Sequence, residues 1–284
     1  MNSLIKSVFH HHGIEEVGCI PFSEAVVLRP NLMPENIQSV IMVLAPYDTK
    51  ETYSDGVSRY AHISDYHTFF SRLFSAVIPE LTSSFPGETF HGFADHSPIN
   101  EKLAASKAGL GVIGNNSLLI NPRYGSYVFI GGILTSLQTD CRVSEVSCCI
   151  GCNKCMEACP TSAIPQEHSI DQNRCLSSIS QKRHLTDDEY ILLRRHHVAW
   201  GCDKCQDVCP MNRSREITAI PYFLDHRHGT FLSGDVSSLS DEDFMKYAFS
   251  WRGRNRIVNN LRNLEGDKPL TLTDELILSG RSLK

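Results

Sequence analysis

The sequence predicts an α+β fold, in which an α/β-like first domain with a mixed sheet is followed by a cysteine-rich module and a short helical C-terminal region. Three observations support it. Residues 39–46 form an apolar, β-branched run that is typical of a buried strand. Apolar side chains recur at helical spacing from Phe69 to Leu81. Cysteines then recur at short, fixed intervals from Cys148 to Cys209, which indicates metal ligands rather than a packed core.

Alternating helices and strands over residues 1–137 indicate a domain with its own sheet. The spacing of apolar residues and the positions of glycine and proline predict each element in turn. The predicted elements are helix 4–12, strand 17–20, strand 39–46, a helix over 69–81, strand 90–94, helix 99–108, and a hairpin of strands 117–120 and 127–134 around the turn at 121–125.

Composition and charge exclude several classes of protein. The chain has 284 residues, of which 41% are hydrophobic and 21% charged, as in ordinary globular proteins. No apolar run approaches the ~20 residues of a membrane helix, and residues 1–9 do not resemble a secretion signal. We therefore expect a cytoplasmic protein that is not bound to a membrane. The net charge of −5 argues against a surface that is generally basic.

Two cysteine motifs predict two [4Fe–4S] clusters in a ferredoxin-like module. The first reads C-x2-C-x2-C-x3-C-P, and the second reads C-x2-C-x3-C-P with a lone cysteine upstream. In such folds the cysteine before the proline binds the other cluster. We therefore assign Cys149, Cys152, Cys155 and Cys209 to one cluster, and Cys175, Cys202, Cys205 and Cys159 to the other.

Structural zinc and disulfides are the alternative explanations of these cysteines. Zinc sites usually lack the third closely spaced cysteine and the following proline. Disulfides are typical of short secreted chains. The remaining Cys19 and Cys141 are expected to be free, small buried side chains. Cys148 could compete with Cys149 for iron, but Cys149 has the ferredoxin spacing.

The cysteine positions divide the chain into residues 1–140, 141–212 and 213–284. The module is predicted to contain a helix near 187–197, and the last region to turn helical after Ser240. This region carries a group of basic residues, which either form a solvated helix face or contact a nucleic-acid backbone. The basic residues are Lys246, Arg252, Arg254, Arg256 and Arg262.

A two-cluster module needs only ~60–80 residues, so the preceding domain must use the electrons or bind a partner that does. In this first domain, the glycines at 109, 111 and 114 match the motif G-x-G-x-x-G. A dinucleotide site is not expected there, because the motif follows a helix and no acidic residue ends a strand ~20 residues later. A helix cap and a tight turn are the simpler interpretation.

Further motifs, in their order, make the chain resemble the epoxyqueuosine reductase family. They are SRYA at 58–61, DYH at 65–67, Asp95 before a helix, AGLG-x-IG-x-NSLLIN at 108–121, a Gly-Ser pair followed by GGILT at 131–135, and both cluster motifs. The resemblance extends from about Ser39 to Asn212. Known members reduce epoxyqueuosine in tRNA to queuosine, and they are related to reductive dehalogenases.

The resemblance implies cobalamin, bound base-off beside the two clusters, with flavodoxin or ferredoxin as electron donor. It also implies tRNA as a partner, for which the Lys246–Arg262 segment is a candidate surface. Asp95 matches the family's proposed proton donor, and we expect a desolvated pocket to keep this carboxyl group partly neutral. As a simpler interpretation, Asp95 caps the helix that follows it.

By the same resemblance, thirteen residues are expected to contact cobalamin or the substrate. They are Ser58, Arg59, Tyr60, Asp65, Tyr66, His67, Gly109, Gly111, Gly114, Asn116, Ser177, Gln181 and Arg183. We expect a corrin-sized cavity between the first domain and the cluster bound by Cys149. Some family segments are shortened or changed, including Val112, Asn115 and Met211 in the shared motifs. A related reductase of small molecules and a non-enzymatic electron-transfer or cobalamin-handling protein are therefore the alternatives.

Overall fold

A computed structural model describes residues 2–225 and 227–266 of the chain. Its centre is a four-stranded sheet of order β1-β2-β6-β3. The strands are β1 (Glu16–Pro21), β2 (Ser39–Pro46), β3 (Phe90–Ala94) and β6 (Val128–Thr135), and a second, two-stranded sheet contains β4 (Val112–Ile113) and β5 (Leu119–Ile120). The α+β class is thus confirmed.

Neighbouring strands of the large sheet all pair antiparallel, so the expected mixed sheet was wrong in this detail. The helix α2 (Tyr66–Ser84) connects β2 to β3, and these two strands point in the same direction. However, β6 lies between them and runs opposite to both. The helical crossover therefore leaves no adjacent parallel pair.

The predicted hairpin also differs from the structure. β5 pairs with β4 rather than with β6, whereas β6 joins the large sheet. The turn between β5 and β6 closes through backbone hydrogen bonds between Asn121 and Gly125. Asn121 also accepts hydrogen bonds from the backbone of Arg123 and Tyr124 through its side chain. The local turn was therefore predicted, but the partner of the strand before it was not.

Both faces of the sheet are covered, and β2 shows this most clearly. Ile41, Val43 and Ala45 pack into one apolar cluster, together with side chains of α1 (Ser3–His11) and α2. The intervening Val40, Met42 and Leu44 pack into a second cluster beside α3 (Glu101–Lys107). Since alternate residues of a strand point to opposite faces, a strand buried on both sides has a continuous apolar sequence.

The remaining α-helices lie within the cysteine motifs or after them, and most are short. They are α4 (Lys154–Glu157), α5 (Leu176–Ser180), α6 (Asp187–His196), α7 (Lys204–Asp207), α8 (Pro221–Asp225), α9 (Ser233–Ser238), α10 (Asp241–Phe244) and α11 (Arg254–Glu265). Thr186 and Glu189 form a reciprocal capping box at the start of α6. Within residues 2–225 and 227–266, no helix has the length and apolarity needed to cross a membrane.

The C-terminal region is helical up to Glu265, and the part of the predicted third region beyond residue 266 lies outside the described residues. Asn260 on α11 ties this region to the cysteine module. The side chain is fully buried and donates hydrogen bonds to the carbonyl oxygens of Ser180, at 2.9 Å, and Ala199, at 2.7 Å.

Cys19 and Cys141 form a disulfide, so the expectation that both are free was wrong. Cys19 lies on β1 and is buried, as predicted. After β6, the chain crosses back over the edge of the sheet, where Thr139 donates a backbone hydrogen bond to the hydroxyl of Ser39. This path places the Cα atom of Cys141 5.3 Å from the Cα atom of Cys19, although the two residues are 122 positions apart in sequence.

Candidate active site and cluster centres

The four cysteines assigned to the first cluster lie around one small pocket. Cys149, Cys152, Cys155 and Cys209 all line it, although Cys209 lies more than fifty residues after the others. Burial raises the pKa of Cys155, and the charges of Cys149 and Cys209 raise it further. Cysteine sulfurs that lie close enough to affect the ionisation of one thiol are suited to bind a cation together.

Three cysteines of the second set form part of the wall of a larger cavity. Cys175 precedes α5, Cys202 lies two residues before α7, and Cys205 lies within α7. Burial raises the pKa of Cys202 to about 11 and that of Cys205 to about 12. As thiolates, they therefore need a positive partner such as iron. The sulfur of Cys159 accepts a hydrogen bond from the backbone of Ala163 at 3.2 Å, an interaction that also tunes cluster sulfurs.

The larger cavity has a volume of about 730 Å³ and lies between the first domain and the cysteine module. One side is formed by aromatic and apolar residues of the first domain, and the other by uncharged polar residues of the module. The first side includes Tyr47, Tyr60, Tyr66, Val128, Phe129 and Ile130, and the second includes Ser177, Ser178, Gln181 and Gln206. Tyr66 stacks on Phe129 with ring centroids 4.3 Å apart.

This position corrects the expectation of a cavity beside the cluster bound by Cys149. The cavity is bordered by Cys175, Cys202 and Cys205 instead, whereas Cys149 lines the separate small pocket. The physical reason is the path of the chain after Cys175, because α5 turns its Ser177 towards the first domain. The second cluster position is thus the one beside the cavity.

Asp95 lies at the edge of this cavity, directly after β3, and 61% of its side chain is exposed. His67 donates from Nε2 to Asp95 at 3.2 Å and from Nδ1 to Asp65 at 2.8 Å. Partial burial opposes protonation of His67, but these two carboxylates outweigh it and raise its pKa to about 9. The hydrogen bond from His67 lowers the pKa of Asp95. Asp95 is therefore ionised at neutral pH, contrary to the expected desolvated carboxyl group.

Glu101, in the first turn of α3, has the environment that was expected for Asp95. It lines the same cavity, and its Oε2 is buried without a hydrogen-bond partner among the described residues. Burial raises the pKa of Glu101 to about 8, and the negative charge of Asp95 adds to the effect. Two carboxyl groups therefore face one cavity, of which one is ionised and the other is neutral at pH 7.

Asp203 joins the two sides of the cavity. It is partly buried in the module, and it accepts hydrogen bonds from the Ser58 hydroxyl at 2.6 Å and from the Arg59 backbone at 2.8 Å. Nearby, the indole of Trp200 donates to the hydroxyl of Tyr60 at 2.6 Å. The SRYA motif thus holds the loop that carries Cys202 against the first domain.

A second polar network joins the turn before β6 to the end of the second cysteine motif. Asn212 accepts the backbone N–H of Ser126 at 2.8 Å and donates to the Ser126 hydroxyl at 2.9 Å. That hydroxyl donates in turn to Gln206 at 2.8 Å. All three side chains are buried, so the hydrogen bonds fix the position of α7 relative to the sheet.

Two family models match this chain. Residues 28–96 match "Epoxyqueuosine reductase QueG, DUF1730", and residues 148–212 match a "4Fe-4S double cluster binding domain". An epoxyqueuosine reductase from Cellulophaga algicola is 32% identical over 224 residues, covering 77% of this chain and 73% of that protein. One from Cyclobacterium marinum is 30% identical, covering 83% and 80% respectively. The chain belongs to the epoxyqueuosine reductase family.

Solved structures of epoxyqueuosine reductases share the fold. The structure from Streptococcus thermophilus has a TM-score of 0.77 at 21% identity, covering 93% of this chain and 81% of that one. A structure with an epoxyqueuosine-modified tRNA-Tyr stem loop has a TM-score of 0.75 at 20% identity, covering 92% and 80%. The matched share of the relatives' own length varies, and the match to the Gloeobacter violaceus enzyme spans 58% of that protein.

The cavity brings together part of the residues expected from the family. Asp95 and six of the expected cofactor contacts line it, namely Ser58, Tyr60, Tyr66, Asn116, Ser177 and Gln181. The other expected contacts are Arg59, Asp65, His67, Gly109, Gly111, Gly114 and Arg183, which lie outside its lining. A Cβ on Gly111 would meet the carbonyl oxygen of Ile120 at 2.6 Å, so this glycine allows close backbone packing. Contact with a cofactor stays a prediction for all of these residues.

The basic residues of the C-terminal region do not form one surface. Arg256 is buried and donates to the hydroxyl of Tyr190 and the carbonyl of Arg183. Arg254 pairs with Asp241 and Lys246 with Asp243, both at 2.7 Å. Arg252 differs, because it lines the cavity and lies over the ring of Trp251 at 4.1 Å. The expected nucleic-acid surface is therefore reduced to the part near the cavity.

Glu101 is the residue that the sequence did not identify. An acidic residue in the first turn of a helix is common, because it interacts favourably with the helix dipole. The position one residue after the N-cap Asn100 therefore has an ordinary explanation. Its burial depends on the cavity wall, which residues far apart in sequence build together.

Proposed function

We propose that this chain is a cobalamin-dependent iron–sulfur reductase that removes the epoxide oxygen of epoxyqueuosine in tRNA. The observation that carries the proposal is a single cavity in which carboxyl groups of the first domain face cysteines of the cluster module. Epoxide removal needs both electrons and protons. A chain of the epoxyqueuosine reductase family that supplies both to one cavity is suited to this reaction.

The cavity lining fits the proposed cofactor by its chemistry. The apolar and aromatic side, including Tyr66 and Phe129, offers flat surfaces to a macrocycle. The amide and hydroxyl groups of Gln181 and Ser177 can form hydrogen bonds with the amide groups at the corrin edge. When bound base-off, cobalamin would supply low-potential reduction chemistry at the cobalt.

The cluster module would bring electrons to the cavity through its two cysteine sets. Cys175, Cys202 and Cys205 border the cavity, so they would hold the cluster nearest to the cofactor. None of the cysteines of the set around Cys149 lines the cavity, and this set includes the exposed Cys152, two residues after Ile150, which is 66% exposed. We expect an electron donor such as flavodoxin or ferredoxin to bind at this exposed side.

For the tRNA, the edge of the cavity near Trp251 is the best supported contact. Trp251 is 55% exposed and lines the cavity together with Arg252. An exposed indole can stack on a base, and the guanidinium group can contact a phosphate. This pair therefore replaces the whole Lys246–Arg262 segment as the candidate for RNA contact.

The test is turnover of an epoxyqueuosine-containing tRNA stem loop by protein that has been reconstituted anaerobically with iron, sulfide and cobalamin. Conversion to queuosine in the presence of a low-potential reductant is expected, and its loss without cobalamin. The free epoxyqueuosine nucleoside serves as a second substrate. Equal turnover of both substrates would support a reductase of small molecules instead. Binding of cobalamin without turnover of either substrate would support an electron-transfer or cobalamin-handling protein.

A further inference from the structure

The reduction of an epoxide to an alkene breaks two C–O bonds and forms one C=C bond. It consumes two electrons and two protons and releases the oxygen as water. The cluster module would supply the electrons, but the protons must come from groups that hold them at neutral pH. Asp95 is a poor store of protons, because its hydrogen bond from His67 keeps it ionised.

Glu101 lies in a different environment at the same cavity. The carboxyl group accepts a hydrogen bond from the backbone N–H of Asp95, which leaves Oε2 without a partner among residues 2–225 and 227–266. A buried oxygen with no acceptor nearby can carry a proton that is ready for an incoming acceptor. An oxygen atom of the substrate in the cavity would be such an acceptor.

The charged groups around Glu101 do not neutralise it by pairing. Lys102 and Arg29 both favour its ionised form, but less strongly than burial and Asp95 oppose it. The ammonium group of Lys102 donates to the carbonyl of Ser117 at 2.7 Å, and Arg29 donates to the carbonyl of Ser97 at 2.5 Å. Both cations are thus engaged with backbone oxygens. A further titratable neighbour is Tyr66, whose own pKa is raised by burial.

We propose that Glu101 is a catalytic acid of this cavity, whose carboxyl O–H protonates the oxygen atom that leaves the substrate. The assignment rests on the proposed reductase function. Two carboxyl groups in environments that push their pKa values apart are the usual sign of separate acid and base roles. The second proton comes from the imidazolium group of His67 through Asp95, to which His67 is hydrogen-bonded. His67 is therefore a positioning residue and a proton store.

The protonation of Glu101 can be measured without substrate or turnover. An infrared titration of the cluster-loaded protein, compared with Glu101→Gln, isolates the band of this carboxyl group. We expect a protonated-carboxyl band at pH 7 that disappears with a midpoint near pH 8 and is absent from the variant. Glu35→Gln, at an exposed position, should leave the band unchanged. Absence of the band at pH 7 in the wild-type protein would overturn the proposal.

Stability provides a second measurement that does not depend on activity. The pKa of Glu101 is raised from 4.5 to about 8, so the folded protein retains a proton that the unfolded chain has released. This group should therefore reduce stability as the pH rises from about 4.5 to 8. Glutamine cannot ionise. The melting temperature of Glu101→Gln should therefore decrease less over this pH interval than that of the wild-type protein. An unchanged pH dependence would contradict the assignment.

Kinetics then separate the acid role from the overall function. We expect Glu101→Gln to lower kcat by about 10²–10⁴-fold with unchanged KM and cobalamin affinity, and Glu101→Asp to restore part of it. In the wild-type enzyme, activity should fall above about pH 8, and Glu101→Gln should lack this decrease. Wild-type turnover with an equally active Glu101→Gln would overturn the acid role. If the wild-type protein does not turn over the stem loop, the proposed function fails, while the infrared titration still decides the protonation of Glu101.

Discussion

The two walls of the cavity differ in what they can supply to a reaction. The first-domain wall carries Asp95 and Glu101, which exchange protons. The module wall carries Cys175, Cys202 and Cys205, which are positioned to hold a cluster and pass electrons. Asp203 and Asn212 are among the residues whose hydrogen bonds hold the module against the first domain and so bring these two supplies together. The comparison indicates that the reacting atoms lie between the walls.

The largest effect is expected from the module wall. Cys205→Ser should remove the cluster beside the cavity, because oxygen is a poor substitute for a thiolate ligand of iron. We expect about half of the bound iron to be lost and turnover to be abolished, as measured by iron analysis and the stem-loop assay. Cys148→Ser is the matched control, and full iron content and activity are expected there. A Cys205→Ser protein that keeps both clusters would contradict the assignment of this wall.

On the opposite wall, Asp95→Asn should remove the path for one proton and leave the electron path intact. We expect kcat to fall by about 10²–10⁴-fold, a typical contribution of proton transfer. Cobalamin affinity and cluster content should remain unchanged, which an optical titration and iron analysis can show. Asp188→Asn, an exposed change on α6, is the control. Turnover that resists Asp95→Asn would remove this residue from the mechanism.

The two walls also differ in how far the sequence predicted them. Cysteine spacing is a local constraint set by iron coordination, so it identified the module and its candidate ligands. The carboxyl wall depends on burial, which local sequence does not encode. Asp95 was expected to be partly neutral, yet the hydrogen bond from His67, 28 residues earlier in the chain, lowers its pKa. Glu101 resembles an ordinary acid at a helix start until the tertiary fold shields it.

The same distinction applies to the fold. The strand β2 was predicted with its boundaries, since burial on both faces gives a continuous apolar run. The pairing of the strands was harder to predict. β6 lies between β2 and β3 in the sheet, but neither of these strands is adjacent to β6 in sequence. The disulfide between Cys19 and Cys141 escaped prediction for a similar reason, as it depends on the path of the chain across the sheet edge.

A residue outside both walls, Asn260, contributes to the stability of the protein near the module wall, and this contribution can be measured. Asn260→Ala removes two buried hydrogen bonds that hold Ser180, at the end of α5, and Ala199. We expect a loss of about 2–4 kcal/mol in the free energy of unfolding, because each buried carbonyl left unpaired is costly. Chemical denaturation of the cluster-loaded protein measures it. Asn255→Ala on the same helix is the control and should change stability by less than about 0.5 kcal/mol.

The smallest effect is expected for Trp251, which lies at the edge of the cavity and belongs to neither wall. Trp251→Ala should weaken binding of the stem loop by about 1–2 kcal/mol, since base stacking on an aromatic ring contributes this much. Trp251→Phe should recover most of the affinity, because a flat ring remains. Met245→Ala is the control, at a position that is 61% exposed. Fluorescence anisotropy with a labelled stem loop measures the affinity, and single-turnover kinetics measure the reaction of the bound RNA. Because the indole supplies neither protons nor electrons, the rate of the bound complex should remain unchanged, and a large decrease in that rate would place Trp251 in the chemistry instead.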